Sequence, residues 1–406
     1  MRPGWIVAAA LLALAQPAAA AGDRPGQRFE ISPDRLPAPY ATPSSGNSAS
    51  RMRRPADATL EVPAGFKVNV FADRLDHARW MTVAPNGDVL LAEPRDGKVT
   101  LLRDSDKDGR ADTVTTFADG FDRPHGLAIH DGYLYVGDVR EVWRVPYKVG
   151  DTKAGGKREL VGSEGALGSG GGHWTRNIAF SPDGSHFFVS VGSAGNIDVE
   201  RAPRATVQAF KADGSGQRTF ASGLRNAVGI AFYPGTSDLY VVVNERDGMG
   251  DGLVPDYLTR IRDGGFYGWP YSYIGSHPQP DYAERAPEMV KKAIVPDLLF
   301  ESHSAPLGLV FYQGGQFPVA YRGGAFVALH GSWNSGKPTG YKVVFVPFKD
   351  RRPAGYYENF ATGFWAGGTS RAQVWGRPAG LAVAGDGSLL VADDVGQTIW
   401  RISYAK

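Results

Sequence analysis

HGLAIHDGYLYVGDVREVWRV, residues 125–145, reads as an apolar run, an Asp-Gly turn, a second apolar run, a polar loop and a third run. Apolar runs bounded by turn-forming residues are strand signals, and Asp-Gly between two of them marks a hairpin. The phrase recurs along the chain as WMTVAPNGDVLL from Trp80, RNIAFSPDGSHFFVSV from Arg176 and VGIAFYPGTSDLYVVV from Val228. With LGLVFYQGG from Leu307 and AGLAVAGDGSLLVADD from Ala379 the copies number six. A third strand follows in KVTLLR, EVWRVPY, YKVVFVPF and TIWRISY. Short strands at even spacing, with a Gly/Asp turn in each unit, are the pattern of a β-propeller. One such unit cannot bury both faces of its small sheet, so the copies must stack around an axis. The expected fold is all-β: a six-bladed β-propeller over residues 59–406. FKVNVFAD (Phe66–Asp73) has no partner in its own phrase and is expected to close the ring by pairing with the last blade. A β-sandwich offers no reason for six like copies.

Composition agrees and excludes several functions. The 53 glycines in 406 residues are roughly twice the usual ~7%, against a helical protein. A net charge of +2 without a dense basic run gives no case for nucleic acid. The chain has no cysteine, which removes disulfides, thiolate metal sites, a cysteine nucleophile and a C-x-x-C-H haem attachment. At the N-terminus one basic residue, an apolar run from Trp5 to Leu14 and small residues at Ala18–Ala20 form a signal-peptide pattern over residues 1–21. Gln16 and Pro17 interrupt that run, and no other segment is long enough to span a bilayer. The mature protein is expected to be periplasmic or secreted, with a flexible Pro/Ser/Arg-rich leader over residues 22–58.

In a propeller, the loops before first strands and after second strands gather near the axis. Four polar segments then converge: GGGHWTRN, GLRNAVG, NERDGMGDGLVPD and WGRPAG. His125, His173, His303 and His330 flank strand phrases near the supposed axis. His173 is the chosen general base, since the glycines before it leave room for a ligand. Arg225, Arg377 and Lys342 each read as solvated loop cations alone, but together suit a polyanionic ligand. Trp333 offers a flat face to an aromatic ligand, although a tryptophan is more often core. NERDGMGDGLVPDY (Asn244–Tyr257) carries four carboxylates and three glycines in 14 residues, the mixture of side-chain and carbonyl oxygens that calcium takes. DSDKDGRAD (Asp104–Asp112) begins like a calcium loop but has Thr115 where the twelfth-position glutamate belongs, so it reads first as a hairpin turn and second as a structural calcium site. No H-E-x-x-H or G-x-S-x-G motif appears, which disfavours zinc and a serine nucleophile.

The set GGGHW, GLRNAVGIAF, NERDGMGDGLVPDYLTRI, GGFYGWPY, HGSWNSGKPTGYKV and GRPAGLAVA resembles the sorbosone dehydrogenase family. These are exported sugar dehydrogenases that use pyrroloquinoline quinone (PQQ) and are related to soluble quinoprotein glucose dehydrogenase. The resemblance runs from about residue 60 to the C-terminus. It implies PQQ in the axial cleft on a calcium ion, with His173 as base on a sugar hydroxyl. Arg225 and Asn226 match the Arg-Asn pair beside the cofactor. Arg377 and Lys342 match cations around its carboxylates, and Asp394 and His303 join the cofactor-binding set. Asp247 and Gly248 fall where backbone carbonyls meet the calcium. Two departures stand out: Gly172 replaces an acid before the histidine, and Asp247-Gly248 replaces a Gly-Pro pair. The implied activity is oxidation of a sugar or sugar-derived aldehyde, with electrons leaving to an external quinone or cytochrome. A calcium-dependent lactonase-like hydrolase and a non-catalytic binding scaffold are the alternatives on the same fold.

Overall fold

The computed structural model describes residues 23–405. The expected signal peptide, residues 1–21, lies outside the described residues. Six antiparallel sheets follow one another along the chain. The first holds Met81–Val83, Val89–Glu93, Lys98–Arg103 and Thr113–Ala118; the second holds Gly126–His130, Tyr133–Gly137, Val142–Pro146 and Glu159–Val161. Ile178–Phe180, His186–Val191, Thr206–Lys211 and Arg218–Ser222 form the third, with Gly265–Phe266 added in parallel. Asn226–Phe232, Leu239–Asn244, Pro255–Ile261 and Leu298–Ser302 form the fourth. The fifth joins Pro306–Phe311, Ala325–Leu329, Lys342–Val346 and Tyr357–Ala361. In the sixth, Pro378–Val383, Leu389–Asp393 and Thr398–Tyr404 are completed by Phe66–Ala72, which pairs in register from Phe66↔Tyr404 to Ala72↔Ile399.

Why the sheets stand face to face follows from their second strands. VLLAE (Val89–Glu93), AFVAL (Ala325–Leu329) and LLVAD (Leu389–Asp393) are buried at every position. Such runs serve two apolar faces at once and must be covered on both sides. Each gap between successive sheets is filled by its own apolar cluster. Leu90, Val99 and Phe117 meet Leu134 and Val136 between the first two, and Phe326, Val343 and Phe360 meet Leu389 and Trp400 between the last two. A further cluster, Phe71, Leu390 and Ile399 with Met81, Val89 and Leu91, joins the sixth sheet to the first.

The first strands set the spacing. A Cβ on Gly126 would lie 2.3 Å from the Arg176 carbonyl oxygen, and one on Gly229 2.8 Å from that of Leu307. On Gly308 it would lie 2.5 Å from the Ala379 carbonyl, and on Gly380 2.0 Å from that of Arg79. All four sit at the same place in the repeated phrase, and each meets the carbonyl of the residue just before that place in the neighbouring phrase. Where the third sheet has Asn177 instead of glycine, the side-chain amide donates to the corresponding Val228 carbonyl at 2.6 Å. Val228, Leu307 and Ala379 pack together on the side of the three later sheets, whereas Arg79, His125 and Arg176 occupy these positions in the first three.

Where the sequence suggests a loose leader, residues 23–58 lie along the outside of the sheets. Arg28–Phe29 adds an edge strand to the fifth sheet, and Ser50–Arg51 pairs in parallel with Gln373–Val374. Ile31 and Leu36 pack on the core, which the Pro/Ser composition concealed. No helix of the described residues is long and apolar enough to cross a membrane.

Gly380→Ala should destabilise the fold by about 1–3 kcal/mol in denaturant unfolding, because the new methyl overlaps a backbone carbonyl. Gly315→Ala, where a Cβ meets nothing within 4 Å, should change stability far less; equal effects would refute the close-contact account.

Candidate active site

At the ends of the third, fourth and fifth sheets an open cleft of about 480 Å³ is lined by Gly172, His173, Asn196, Arg225, Asp247, Gly248, Trp333 and Asn334, among others. His173 precedes the third sheet. Its Nδ1 lies 3.0 Å from both the carbonyl and the hydroxyl of Ser193, which fixes the tautomer with the proton on Nδ1. The Nε2 lone pair is thereby left for a ligand. Burial, with the Arg225 guanidinium adding to it, holds this imidazole down at about 4. It is neutral at ordinary pH, the state a proton acceptor needs.

The glycine run before His173 has a structural cause. Gly172 adopts φ +68°, and a Cβ there would lie 2.0 Å from the Ala194 carbonyl oxygen. Its smallness serves loop packing, not ligand approach. The loop is held from beneath by Arg204, which donates to the carbonyls of Ser169, Gly171, His173 and Gly192. Arg176 adds bonds to the His173 and Thr175 carbonyls. Both guanidiniums are buried, and their donors go to carbonyls and the Ser169 hydroxyl rather than to a carboxylate. Nε and Nη2 of Arg176 have no partner among the described residues, and burial with Arg204 and Arg123 nearby pulls its pKa down to about 9, so it stays charged at neutral pH. Sequence inspection missed both; the one signal available was that TRN resembles LRN, an arginine directly ahead of a strand.

Arg225 lines the cleft as expected, but its N–H groups are engaged by Asn196, the Glu245 carbonyl and Asp247. Asp247 is shared between Arg225, at 3.3 Å, and His303, at 3.2 Å. His303 is buried behind that carboxylate, and its Nε2 lies 3.0 Å from the Gly250 carbonyl. Burial works against its protonation, yet Asp247 and the Gly250 carbonyl raise its pKa overall. His303 thus ties down the acidic loop instead of facing a ligand. Asn226 is buried next to Arg225 with its Oδ1 unpartnered. Trp333 is 52% exposed at the cleft edge, an open aromatic face.

Three further candidates lie elsewhere. Lys342, on the third strand of its sheet and away from the converging loops, is buried against Asp23 at 3.0 Å, Glu301 at 3.3 Å and the Phe29 ring. Its cation is spent on the leader and the fourth sheet. Arg377 donates to the His330 and Gly331 carbonyls. Asp394 accepts from Arg79 at 2.7 Å and lies 2.9 Å from His330 and 3.3 Å from His77. Burial opposes its ionisation, but those imidazoles and Arg79 outweigh it and hold the carboxyl well below its usual range. Trp174 bridges this second cluster to His173: Arg79 and Arg123 lie over its ring, and His125 meets it edge-on. Among the described residues, three carboxylates close enough to share a cation occur at Asp104, Asp106 and Asp108, in the hairpin after Lys98–Arg103 and not at the cleft.

The residues fit a flat anion. Behind the cleft two buried guanidiniums lack carboxylate partners, at its edge an aromatic face is open, and a Cβ on Gly171, Gly195 or Gly248 would meet nothing within 4 Å. For a hard cation the loop offers the Gly248 carbonyl, which accepts no hydrogen bond among the described residues, the Asp247 carbonyl, already taking one from Asn196, and a carboxylate shared by two cations.

The molecule is thus an all-β assembly of repeated four-stranded sheets with a polar cleft where their loops meet. Residues 60–254 and 281–405 match the TrAA12-like family, and the chain belongs to that family. An uncharacterized protein of Borreliella burgdorferi is 28% identical over 364 residues, 86% of this chain and 92% of that protein. A pyrroloquinoline quinone-dependent pyranose dehydrogenase of Coprinopsis cinerea is 26% identical over 339 residues, 71% of this chain but 45% of that protein. The holo PQQ domain of pyranose dehydrogenase from Coprinopsis cinerea superposes with a TM-score of 0.71 at 22% identity, covering 88% of this chain and 99% of that domain. The family-level resemblance therefore holds over the matched residues, while GGFYGWPY (264–271) lies outside them.

Two titrations test the electrostatics. By NMR the His173 imidazole should titrate at about 4, and Arg225→Gln should move it upward; an ordinary value near 6.5 would remove the burial argument. The folded pKa of His303 is raised, so its stabilising share is full below about 6.5 and fades as pH rises through the folded value. The stability gap between wild type and His303→Gln should accordingly narrow from pH 6 to pH 9.

Proposed function

We propose that the protein is a PQQ-dependent sugar oxidoreductase acting on a sugar or sugar-derived aldehyde. One observation carries this reading: a neutral imidazole with a free Nε2 and an exposed tryptophan face meet in one cleft, with the buried guanidiniums of Arg176 and Arg204 behind it. The fold likeness to a PQQ domain and the relationship to a pyranose dehydrogenase support it. In this reading the six sheets are the blades of a closed propeller. The glycine–carbonyl contacts run from sheet to sheet and include Gly380 against Arg79, which supports closure, as does the pairing of Phe66–Ala72 with the last strand.

PQQ, when bound, would supply the two-electron acceptor for the hydride leaving the sugar carbon. Trp333 would cover its ring, and Arg225, with Arg204 and Arg176 behind the loop, would offset its carboxylates through charge more than through direct hydrogen bonds. His173 would take the sugar hydroxyl proton at Nε2, while Ser193 keeps the Nδ1 proton in place. A calcium ion would be held by the Asp247 and Gly248 carbonyl oxygens. Arg377 and Asp394 would shape the axis side of the site through His330 and Arg79. The electrons would then leave to a quinone or cytochrome acceptor. The apolar run from Trp5 to Leu14 supports export.

The test is reconstitution of the purified protein with PQQ and calcium, followed by absorbance titration and dye reduction with aldoses. Micromolar binding and sugar-dependent reduction are expected; no binding at micromolar PQQ overturns the reading. His173→Ala should bind PQQ as the wild type does and lose about 10²–10⁴-fold in kcat. A variant with near-normal turnover would remove His173 as the base.

A further inference from the structure

The family match begins at residue 60, yet the segment before it reaches both loops that carry the far wall of the cleft. The Tyr40 N–H donates to the Met249 carbonyl at 2.9 Å, and Thr42 Oγ1 accepts from the Asp251 N–H at 2.7 Å. A Cβ on Gly250 would lie 2.6 Å from the Thr42 carbonyl, so the leader and the loop are in direct backbone contact. The Asn47 N–H donates to the Trp333 carbonyl at 2.6 Å. Its side-chain amide spans the Ser335 carbonyl at 3.0 Å and the Ser370 carbonyl at 2.7 Å.

Asn334 joins the three pieces of chain. Its Oδ1 accepts from the Ser44 hydroxyl and from the Gly248 N–H, each at 3.2 Å, while its Nδ2 donates to the Ser45 carbonyl at 3.2 Å. It is buried, and it stands beside Trp333 and against Gly248. Asp251 completes the lock by accepting from the Gly336 N–H at 2.8 Å. Neither loop is a strand, so neither is fixed by a sheet ladder of its own. The leader supplies the missing partners, and it is tied down on both sides of this stretch by the Arg28–Phe29 and Ser50–Arg51 pairings.

We infer that residues 40–47 and Asn334 are positioning elements of the active site, and that docking of this strap and occupancy of the cleft by PQQ are one coupled equilibrium. The inference rests on the PQQ reading above. A strap that sets the Trp333 face and the Gly248 backbone lowers the ordering cost of binding, and by reciprocity a ligand seated on those groups must hold the strap more firmly.

Hydrogen exchange on the full chain tests this with and without PQQ plus calcium. Amides of residues 40–51 should exchange several-fold more slowly when PQQ is bound. Asn47→Ala, at a partly exposed position, should weaken PQQ binding about tenfold while leaving kcat at saturating PQQ close to wild type. Asn334→Ala should do so more strongly, and Asn334→Asp, which keeps the acceptor toward Gly248 and Ser44, should recover much of the loss. A strap that is only structural would lower the melting temperature without this split between affinity and kcat. PQQ binding with unchanged exchange in residues 40–51, or Asn47→Ala and Asn334→Ala binding as wild type does, overturns the inference and leaves the PQQ reading intact. Failure of the wild type to bind PQQ overturns both.

Discussion

The seating of a backbone carbonyl on the glycine of the preceding first strand fixes how close the sheets stand. It repeats at Gly126, Gly229 and Gly308, each toward the next sheet in the chain, and at Gly380 toward Arg79 ahead of the first sheet. A side chain at any of these places would push two sheets apart at their inner ends. Because the interior is close-packed, a shift there would spread into the inter-sheet cores. The same contact decides which residues reach the axis. With the second phrase position lost to packing, the residue before it becomes the last side chain with freedom to face inward. In the later sheets that residue is Val228, Leu307 or Ala379, and the axis is apolar; in the earlier ones it is Arg79, His125 or Arg176, and the axis is polar.

That asymmetry makes the site. Burying a guanidinium without a carboxylate is costly, and the chain accepts the cost at Arg176 and Arg204 by surrounding them with carbonyls. The SGGGH loop supplies those carbonyls because three of its residues lack side chains and its backbone can turn inward. One arrangement therefore does two things: it pins the main chain of His173 and leaves positive charge beneath its ring. The imidazole is kept neutral chiefly by its burial and by Arg225, with Arg204 adding a smaller share. Asp247 is handled oppositely, with Arg225 and His303 on either side, so the acidic loop carries little net charge toward the cleft.

The repeat made the sheets legible because each strand needs a local run of apolar residues and each turn needs its own glycine or aspartate. Phe66–Ala72 was legible by default, as the strand left over. His173, Arg225, Asp247, Gly248 and Trp333 were placed together because their loops share one phase of the repeat. Lys342 misled, since a lysine at the start of a third strand looks like one in a converging loop until its partners Asp23 and Glu301 are seen. Both partners lie far away in sequence, one of them in a segment that composition marks as loose. His303 misled for a related reason: a histidine near the axis says nothing of whether its nitrogens are already taken. Arg204 was invisible because its role consists of main-chain carbonyls, which every residue has.

The leader shows the limit of composition most clearly. Pro, Ser and Asn disfavour helix and sheet, and a segment rich in them lacks the apolar residues to form a core of its own. None of that bears on whether it can serve a core that already exists. Ser44, Ser45 and Asn47 are short polar groups well suited to satisfy loop carbonyls and amides, and loops without ladders have such groups to offer. A fold built from repeated sheets leaves its connecting loops under-determined where ligand chemistry needs them firm. The remedy available to this chain was to lay a polar segment of irregular backbone across them. Its cost in chain entropy is met by the two short pairings at Arg28–Phe29 and Ser50–Arg51, which shorten the free span between fixed points.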